Sequence, residues 1–479
     1  MDFRNRLLID GEFVDALSGK TFDTHNPADG SVLATVAEGQ TEDVDRAVAS
    51  ARKAFEEGAW SRAVPADRQA MLWKLADLLE QNAEEMALIE SLDNGKPLGD
   101  ARGDVAEAVA CLRYYAGWAT KISGRTVEMS RPGPWHAYTL RQPLGVVGQI
   151  VPWNFPLIMT SWKIGPALAA GNAVVLKPAE QTPLTALRLG ELALEAGFPP
   201  GALNVVTGDG PTAGAAIAAH PDVDKVAFTG STETGRLIVQ AALGNFKKVS
   251  LELGGKSPNI VLADADIEAA TSGAAMAIFS NQGEVCTAAS RLYVERSVFD
   301  RVVEGLAGLA GDIRLGAGTA EGTQMGPLVS AEHLDRVSSL VQQGVDGGAR
   351  VVTGGGRHGD EGYFYRPTVL TDVTEDSVVV QQEIFGPVVV ASPFDAPEQI
   401  GRAVNNTVYG LAAGIWTRDL SAAHRIAAEV KAGTVYVNTY HSGDAALPFG
   451  GFKQSGWGRE LGEEGLELYT ETKSVVMKL

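Results

Sequence analysis

The feature that most constrains this chain is a run of alternating strand and helix patterns between Val146 and Leu253. Apolar runs stand at Val146–Val151, Ala173–Leu176, Asn204–Val206, Lys225–Phe228 and Val249–Leu253. Segments with helical character separate them, near 157–170, 183–196, 211–219 and 232–242. Strands covered on both faces read as near-continuous apolar runs rather than as alternating ones. Parallel strands need a crossover of a dozen or more residues, and each gap here is long enough for a right-handed βαβ unit. The pattern predicts an open parallel sheet with helices on both faces, a layout that binds dinucleotides at the carboxyl ends of its strands.

The chain is longer than that sheet requires. Its 479 residues leave room for further domains. The first 35 residues read as a small antiparallel meander with turns at Ser18-Gly19 and Asp29-Gly30. Helices follow, one capped by Thr41, one begun by Pro65 and a third over about Asp104 to Ile122. Cys111 falls in the third, where it reads as a small buried apolar residue. A second α/β segment spans about 255–455, with strands at Arg291–Val294, Val388–Val390 and Val435–Val437. The tail from Lys473 to Leu479 reads as an edge strand that pairs with another element or another subunit.

Composition narrows the partners. A net charge of −19 repels phosphate backbones, which argues against nucleic acid. The uncharged stretch Gln142–Trp162 carries Pro143, Pro152 and Pro156, which interrupt any helix long enough to span a membrane. With Cys111 and Cys286 as the only cysteines there is no disulfide framework and no zinc spacing, so no metal is expected. A polar N-terminus without a signal peptide and the scarcity of cysteine fit the cytoplasm.

Four segments carry residues with chemistry, and each also has an ordinary structural reading. Pro152-Trp153-Asn154-Phe155-Pro156 follows the first strand. The Asn154 amide suits a developing oxyanion, or a turn or N-cap between two prolines. Lys177-Pro178-Ala179-Glu180 ends the second strand. An acidic residue there suits a ribose diol and would repel a 2′-phosphate, favouring NAD, while Lys177 leaves room for NADP; the alternative is a surface ion pair. Phe228-Thr229-Gly230-Ser231 opens a helix after the fourth strand, where backbone N–H groups attract phosphate. Nearby Gly208, Gly210 and Gly214 read as loop glycines. Finally, Val249, Leu251 and Leu253 share one strand face and put Glu252 on the other, where a buried carboxylate needs a partner or a function. Downstream, Asn281 to Thr287 sets Cys286 in a polar loop containing Gly283, although a lone cysteine is also an ordinary buried residue.

In order and spacing, Asn154, Lys177, Glu180, Glu252 and Cys286 resemble the NAD(P)-dependent aldehyde dehydrogenase superfamily. Leu251–Pro258 (LELGGKSP) is similar to that family's glutamate motif and Phe279–Ser290 (FSNQGEVCTAAS) to its cysteine motif. Glu383–Pro387 and Pro448–Lys453 match further family segments, and the resemblance covers nearly the whole chain. One departure stands out: Glu284 occupies a position where the family more often has Gln. A charge two residues before the cysteine would raise the thiol pKa unless it points away.

The resemblance implies oxidation of an aldehyde to the acid. Cys286 attacks the carbonyl, Asn154 holds the oxyanion, and Glu252 activates water against the thioester. Lys163 and Glu460 match a proton relay behind Glu252. Lys177 and Glu180 match positions that bind the adenosine ribose and Ser231 one near the pyrophosphate, and Gly210, Gly214, Phe228 and Gly230 join them as cofactor-binding positions. Glu383 matches the position on the nicotinamide ribose, with Phe385 beside the ring, and Trp153 matches a further cofactor-side position. Phe155, Met159, Trp162, Phe279, Ser280, Val285, Thr287, Phe449 and the His441–Asp444 loop match the substrate tunnel, whose aromatic walls favour hydrophobic or aromatic aldehydes. A CoA-acylating relative needs no water-activating carboxylate, so Glu252 argues against one. The implied fold is α/β: a Rossmann-like cofactor domain from 1–121 and 143–254, a catalytic α/β domain over 255–455, and a small β arm from 122–142 and 456–479. That arm implies a homodimer or a dimer of dimers.

Overall fold

The computed structural model describes residues 3–479. The expected strands form one sheet: Val146–Ile150, Ala173–Lys177, Leu203–Val205, Lys225–Thr229 and Lys248–Glu252. Across it they lie parallel, with Val146–Ile150 between Lys225–Thr229 on one side and Ala173–Lys177 on the other. The chain thus builds outward in one direction, returns to the first strand, and builds outward in the other. Ligand crevices open where the order reverses, beyond the carboxyl ends of Val146–Ile150 and Lys225–Thr229.

The sheet has eight strands because its two edges are closed antiparallel. Leu7–Ile9 pairs with Leu203–Val205 and with Glu12–Val14. The hairpin between them turns at Asp10 (φ 54°) and Gly11 (φ 79°), the left-handed pair that a two-residue connection favours. The N-terminal meander is therefore split: Thr21–His25 and Val32–Ala37 form a separate two-stranded hairpin. The apolar run Leu7–Ile9 is wholly buried, and covering it on the sheet edge removes more apolar surface from water than a free meander would. The other edge is closed by Gly456–Trp457, from the stretch expected in the arm, antiparallel to Leu251 and Glu252.

A second, seven-stranded sheet runs from Arg350–Thr353 through Thr368–Thr371, Val388–Phe394, Arg291–Glu295, Pro258–Val261 and Ala412–Trp416 to Thr434–Val437. All its pairings are parallel except that of Arg350–Thr353. A three-stranded sheet joins Thr126–Val127, Trp135–Pro143 and Thr470–Lys478, so the tail's partner lies in its own chain.

The helices need two corrections. Thr41 is the first helical residue rather than the cap; Gln40 precedes it, and Asp43 accepts from the Gln40 N–H at 3.1 Å. The helix expected over Asp104 to Ile122 runs instead from Leu98 to Trp118, directly after Pro97, and is the fourth, because Ala83–Asn94 forms a helix of its own before it. Gly99 and Gly103 hide its first turns, and packing against the helices Pro65–Gln81 and Pro156–Ala170 outweighs their low propensity. Cys111 is buried in that helix and its thiol faces the Ser161 carbonyl at 3.6 Å. Every residue of Pro156–Ala170 is buried, as expected of a helix apolar all round. Among the described residues no helix is long and apolar enough to cross a membrane.

Candidate active site

The loop that carries Cys286 is built from strained backbone. Helix Ile267–Phe279 ends in a turn where Asn281 (φ 46°), Gln282 (φ 57°) and Gly283 (φ 72°) are all left-handed. Such positions cost of order 1–3 kcal/mol each for ordinary residues and persist only where the surroundings enforce them. Here they do. Asn281 Nδ2 donates to the Asn154 carbonyl at 3.0 Å, and Gln282 Oε1 accepts from the Gly326 N–H at 3.3 Å. A Cβ on Gly283 would lie 2.2 Å from the Gly386 carbonyl oxygen. Cys286 follows, half-buried, as a free thiol. The next residue is anchored too, its carbonyl accepting from the Tyr440 hydroxyl at 2.8 Å.

Asn154 is brought to this loop. It does not cap the following helix; its Nδ2 donates to the Glu284 carbonyl at 2.9 Å, across to the segment that carries Cys286. The second hydrogen of that amide has no protein acceptor among the described residues. Glu252 lies on the other flank. Its carboxyl is buried, Oε2 has no protein partner, and Gly450 is so close that a Cβ there would approach Oε1 to 2.7 Å. Burial pushes the Glu252 pKa well above the carboxylate range and Glu460 adds to the rise, while Lys163 and Arg459 pull it down. Lys163 and Glu460 are both buried and joined by a short ion pair. Glu460 and Phe449 exchange backbone hydrogen bonds at 2.7 Å, which ties the expected relay pair to an expected wall residue.

Burial pushes the Cys286 thiol up to about 12, and the Glu252 and Glu383 carboxyls add to the rise. The N–H groups of Cys286 and Thr287 oppose them by facing the sulfur. Burial raises the pKa of Glu284 itself well above the carboxylate range, which favours its uncharged form. Its carboxyl turns away, accepting from the Val329 N–H at 3.0 Å, with His333 Nε2 3.7 Å off.

The residues of the expected cofactor groove lie at the strand ends. Lys177 Nζ is buried, donates to the Pro178 carbonyl at 2.8 Å and stands 3.3 Å from Glu180 Oε2, whose side chain is 40% exposed. Enough of that carboxylate therefore faces solvent to accept from a diol. Gly214 packs against the Lys177 stem, Gly210 opens the same short turn, and the Phe228 ring sits beneath Gly230. Ser231 caps helix Thr232–Ala241, accepting from the Thr234 N–H at 3.0 Å. Just before it, the hydroxyl of Thr229 is buried without a protein partner. On the far side Glu383 Oε1 accepts from the Gly255 N–H at 2.9 Å. Trp153 and Phe385 meet edge to face at 5.3 Å, and Phe385 is itself left-handed (φ 61°).

The wall residues divide between two apolar clusters. Met159 and Trp162 belong to the first, with Phe449 packed against Trp162 at 5.2 Å; Phe279 and Val285 belong to the second. Phe155 touches both, and Thr287 is buried beside the thiol. Sequence reasoning missed Lys96, Asn94, His333, Arg459 and Tyr440. Their signal was weak, because Asn94-Gly95-Lys96-Pro97 reads as an ordinary turn and the others as isolated polar residues.

The arrangement matches known proteins over its whole length. The model of the aldehyde dehydrogenase family matches residues 13–475. An aldehyde dehydrogenase of Aspergillus niger is 52% identical over 474 residues, 99% of this chain and 95% of that protein. A phenylacetaldehyde dehydrogenase of Pseudomonas fluorescens is 51% identical over 480 residues, 99% of this chain and 96% of that protein. The solved NAD+ complex of an aldehyde dehydrogenase from Bacillus cereus is similar at a TM-score of 0.98 and 52% identity, covering 99% of this chain and 96% of that one. With a family match from end to end, relatives at half identity and the same fold, this chain belongs to the aldehyde dehydrogenase family.

Proposed function

We propose that this enzyme oxidises an aldehyde, hydrophobic or aromatic, to its carboxylic acid with NAD as the preferred cofactor. The observation that carries the reading is the bond from Asn154 Nδ2 to the Glu284 carbonyl, which holds an amide donor over the Cys286 loop. NAD suits the groove: a half-exposed Glu180 carboxylate for a ribose diol, an orphaned Thr229 hydroxyl beside a helix N-terminus for phosphate, and Glu383 for the second ribose. Bound NAD supplies the hydride acceptor. Glu180 would also repel a 2′-phosphate, which disfavours NADP.

The chain's own residues supply the rest. The resting thiol is neutral, since burial raises its pKa, so a base must take its proton as the carbonyl arrives. Solvent at the half-buried sulfur carries that proton away, which leaves the Glu252 carboxylate for the later water. Cys286 then bonds to the carbonyl carbon, and the oxygen becomes an alkoxide held by the free N–H of Asn154 and the backbone N–H of Cys286. Loss of one such donor costs ~10²–10³ in kcat. Once the carbon is oxidised to a thioester, Glu252 takes a proton from the attacking water and passes it towards Glu460 and Lys163. The thiolate leaves as the acid forms and regains its proton from solvent.

The aromatic walls at Phe155, Trp162 and Phe449 support bulky aldehydes, as does the activity named for the Pseudomonas relative. The open edges of the Trp135–Pro143 and Thr470–Lys478 sheet support a pairing arm and hence a homodimer or a dimer of dimers. Two free thiols fit a reducing compartment such as the cytoplasm. The test is an aldehyde panel with NAD and NADP. Phenylacetaldehyde should give the higher kcat/KM over acetaldehyde and betaine aldehyde, with free acid released in the absence of CoA. Preference for small or charged aldehydes would reject the substrate reading, and a Cys286→Ala variant that still makes NADH would reject the mechanism.

A further inference from the structure

We propose that Lys96 is a positioning residue that aims the Asn154 amide at the nucleophile loop, acting as a buried ammonium shared between two carboxylates. The proposal rests on the reading of Asn154 as the oxyanion donor. Lys96 sits in the turn between helices Ala83–Asn94 and Leu98–Trp118, and its side chain is 0% exposed. An ammonium has three hydrogens to place. Nζ meets Asp104 Oδ2 in a short ion pair, Glu90 Oε1 at 3.4 Å, and the main-chain oxygen of Asn154 at 3.1 Å. It also stands 4.4 Å from the centre of the Phe155 ring.

The Asn154 carbonyl is therefore gripped twice, by Lys96 and by Asn281 Nδ2 at 3.0 Å. The peptide before it is held as well, because Asn94 Nδ2 donates to the Trp153 carbonyl at 3.0 Å. Two donors on one carbonyl fix the orientation of the peptide plane from which the Asn154 side chain leaves. That side chain then reaches the Glu284 carbonyl, two residues before the sulfur. The turn that carries Lys96 cannot drift. A Cβ on Gly95 would meet Pro27 Cγ at 2.8 Å, and one on Gly326 would meet the Gly95 carbonyl oxygen at 1.9 Å. Asp104 and Glu90 offset the cost of burying the charge, and the charge strengthens the bond to the carbonyl.

Lysine at this place does not touch the reacting atoms, so its effect should vanish when Asn154 can no longer donate. The test is a double-mutant cycle of Lys96→Met and Asn154→Ala, read in kcat, KM for NAD and the thermal midpoint. Lys96→Met alone should lower kcat roughly 10- to 100-fold, the range of a small misplacement of a catalytic group, and leave KM for NAD within about twofold. In the Asn154→Ala background the same change should cost less than about twofold. Equal losses in both backgrounds, or an unchanged kcat in Lys96→Met, would overturn the proposal. Asn154→Ala with full activity would instead overturn the oxyanion reading itself. If Lys96→Met does not fold, Lys96→Met/Asp104→Asn/Glu90→Gln removes both unpaired carboxylates and replaces it in the same cycle, with the same two outcomes.

Discussion

Replacing Glu252 with Gln should separate the two halves of the reaction. The side chain keeps its volume in a site that is 5% exposed, so the fold has little reason to change. What it loses is the base. A positioned general base contributes ~10²–10⁴-fold, or about 3–5 kcal/mol of barrier at ~1.4 kcal/mol per decade. If that base acts on the hydrolytic water, steady-state turnover falls by this factor while the first turnover survives. Rapid mixing should then give a burst of NADH near one equivalent per site, followed by a stall, with the acyl group found on Cys286 by mass. Loss of the burst in proportion to the steady state would refute the assignment, because it would mean Glu252 serves mainly to deprotonate the thiol. The pH dependence has a definite sign. Burial and Glu460 raise the Glu252 pKa, and the base form grows as pH rises. The native rate should therefore climb on going alkaline, and the Gln variant should be flat over the same range. The folded protein binds this proton more tightly than the unfolded chain. Stability thus falls as pH rises from the unfolded towards the folded pKa, and Glu252→Gln should remove that part of the loss.

Alkylation of Cys286 by iodoacetamide without cofactor should quicken about tenfold per pH unit, because burial pushes its thiol up to about 12; a plateau by neutral pH would contradict this. Gly254→Ala should raise KM for NAD by about tenfold or more, since its Cβ would fall 2.0 Å from Glu383 Oε2 and displace that carboxyl; an unchanged KM would remove Glu383 from cofactor binding. Glu180→Ala should raise kcat/KM for NADP relative to NAD by about tenfold, measured by initial rates with both cofactors, and an unchanged ratio would count against its role.

Much of the fold is legible in the sequence because it follows from periodicity. The apolar runs from Val146 to Leu253 become strands almost as written, since a strand buried on both faces has to be apolar throughout. Edges are less legible. Leu7–Ile9 closes one side of the sheet and Gly456–Trp457 the other, and nothing local in either short segment names its distant partner. The start of helix Leu98–Trp118 is masked by Gly99 and Gly103, whose cost is met by packing that no local window records.

The candidate site divides along the same line. The side chains proposed to react, Cys286, Glu252 and Asn154, each have an ordinary structural reading when taken singly, and it is their combined order and spacing, with the family they resemble, that singles them out. The sequence alone therefore determined which atoms could react and which layers would carry them. Tertiary structure decided where those atoms point: Glu284 away from the thiol towards Val329, Asn154 across to the Glu284 carbonyl, and Lys96 beneath the Asn154 peptide. Direction depends on hydrogen bonds between residues far apart along the chain, and such bonds exist only after the sheets and helices have packed.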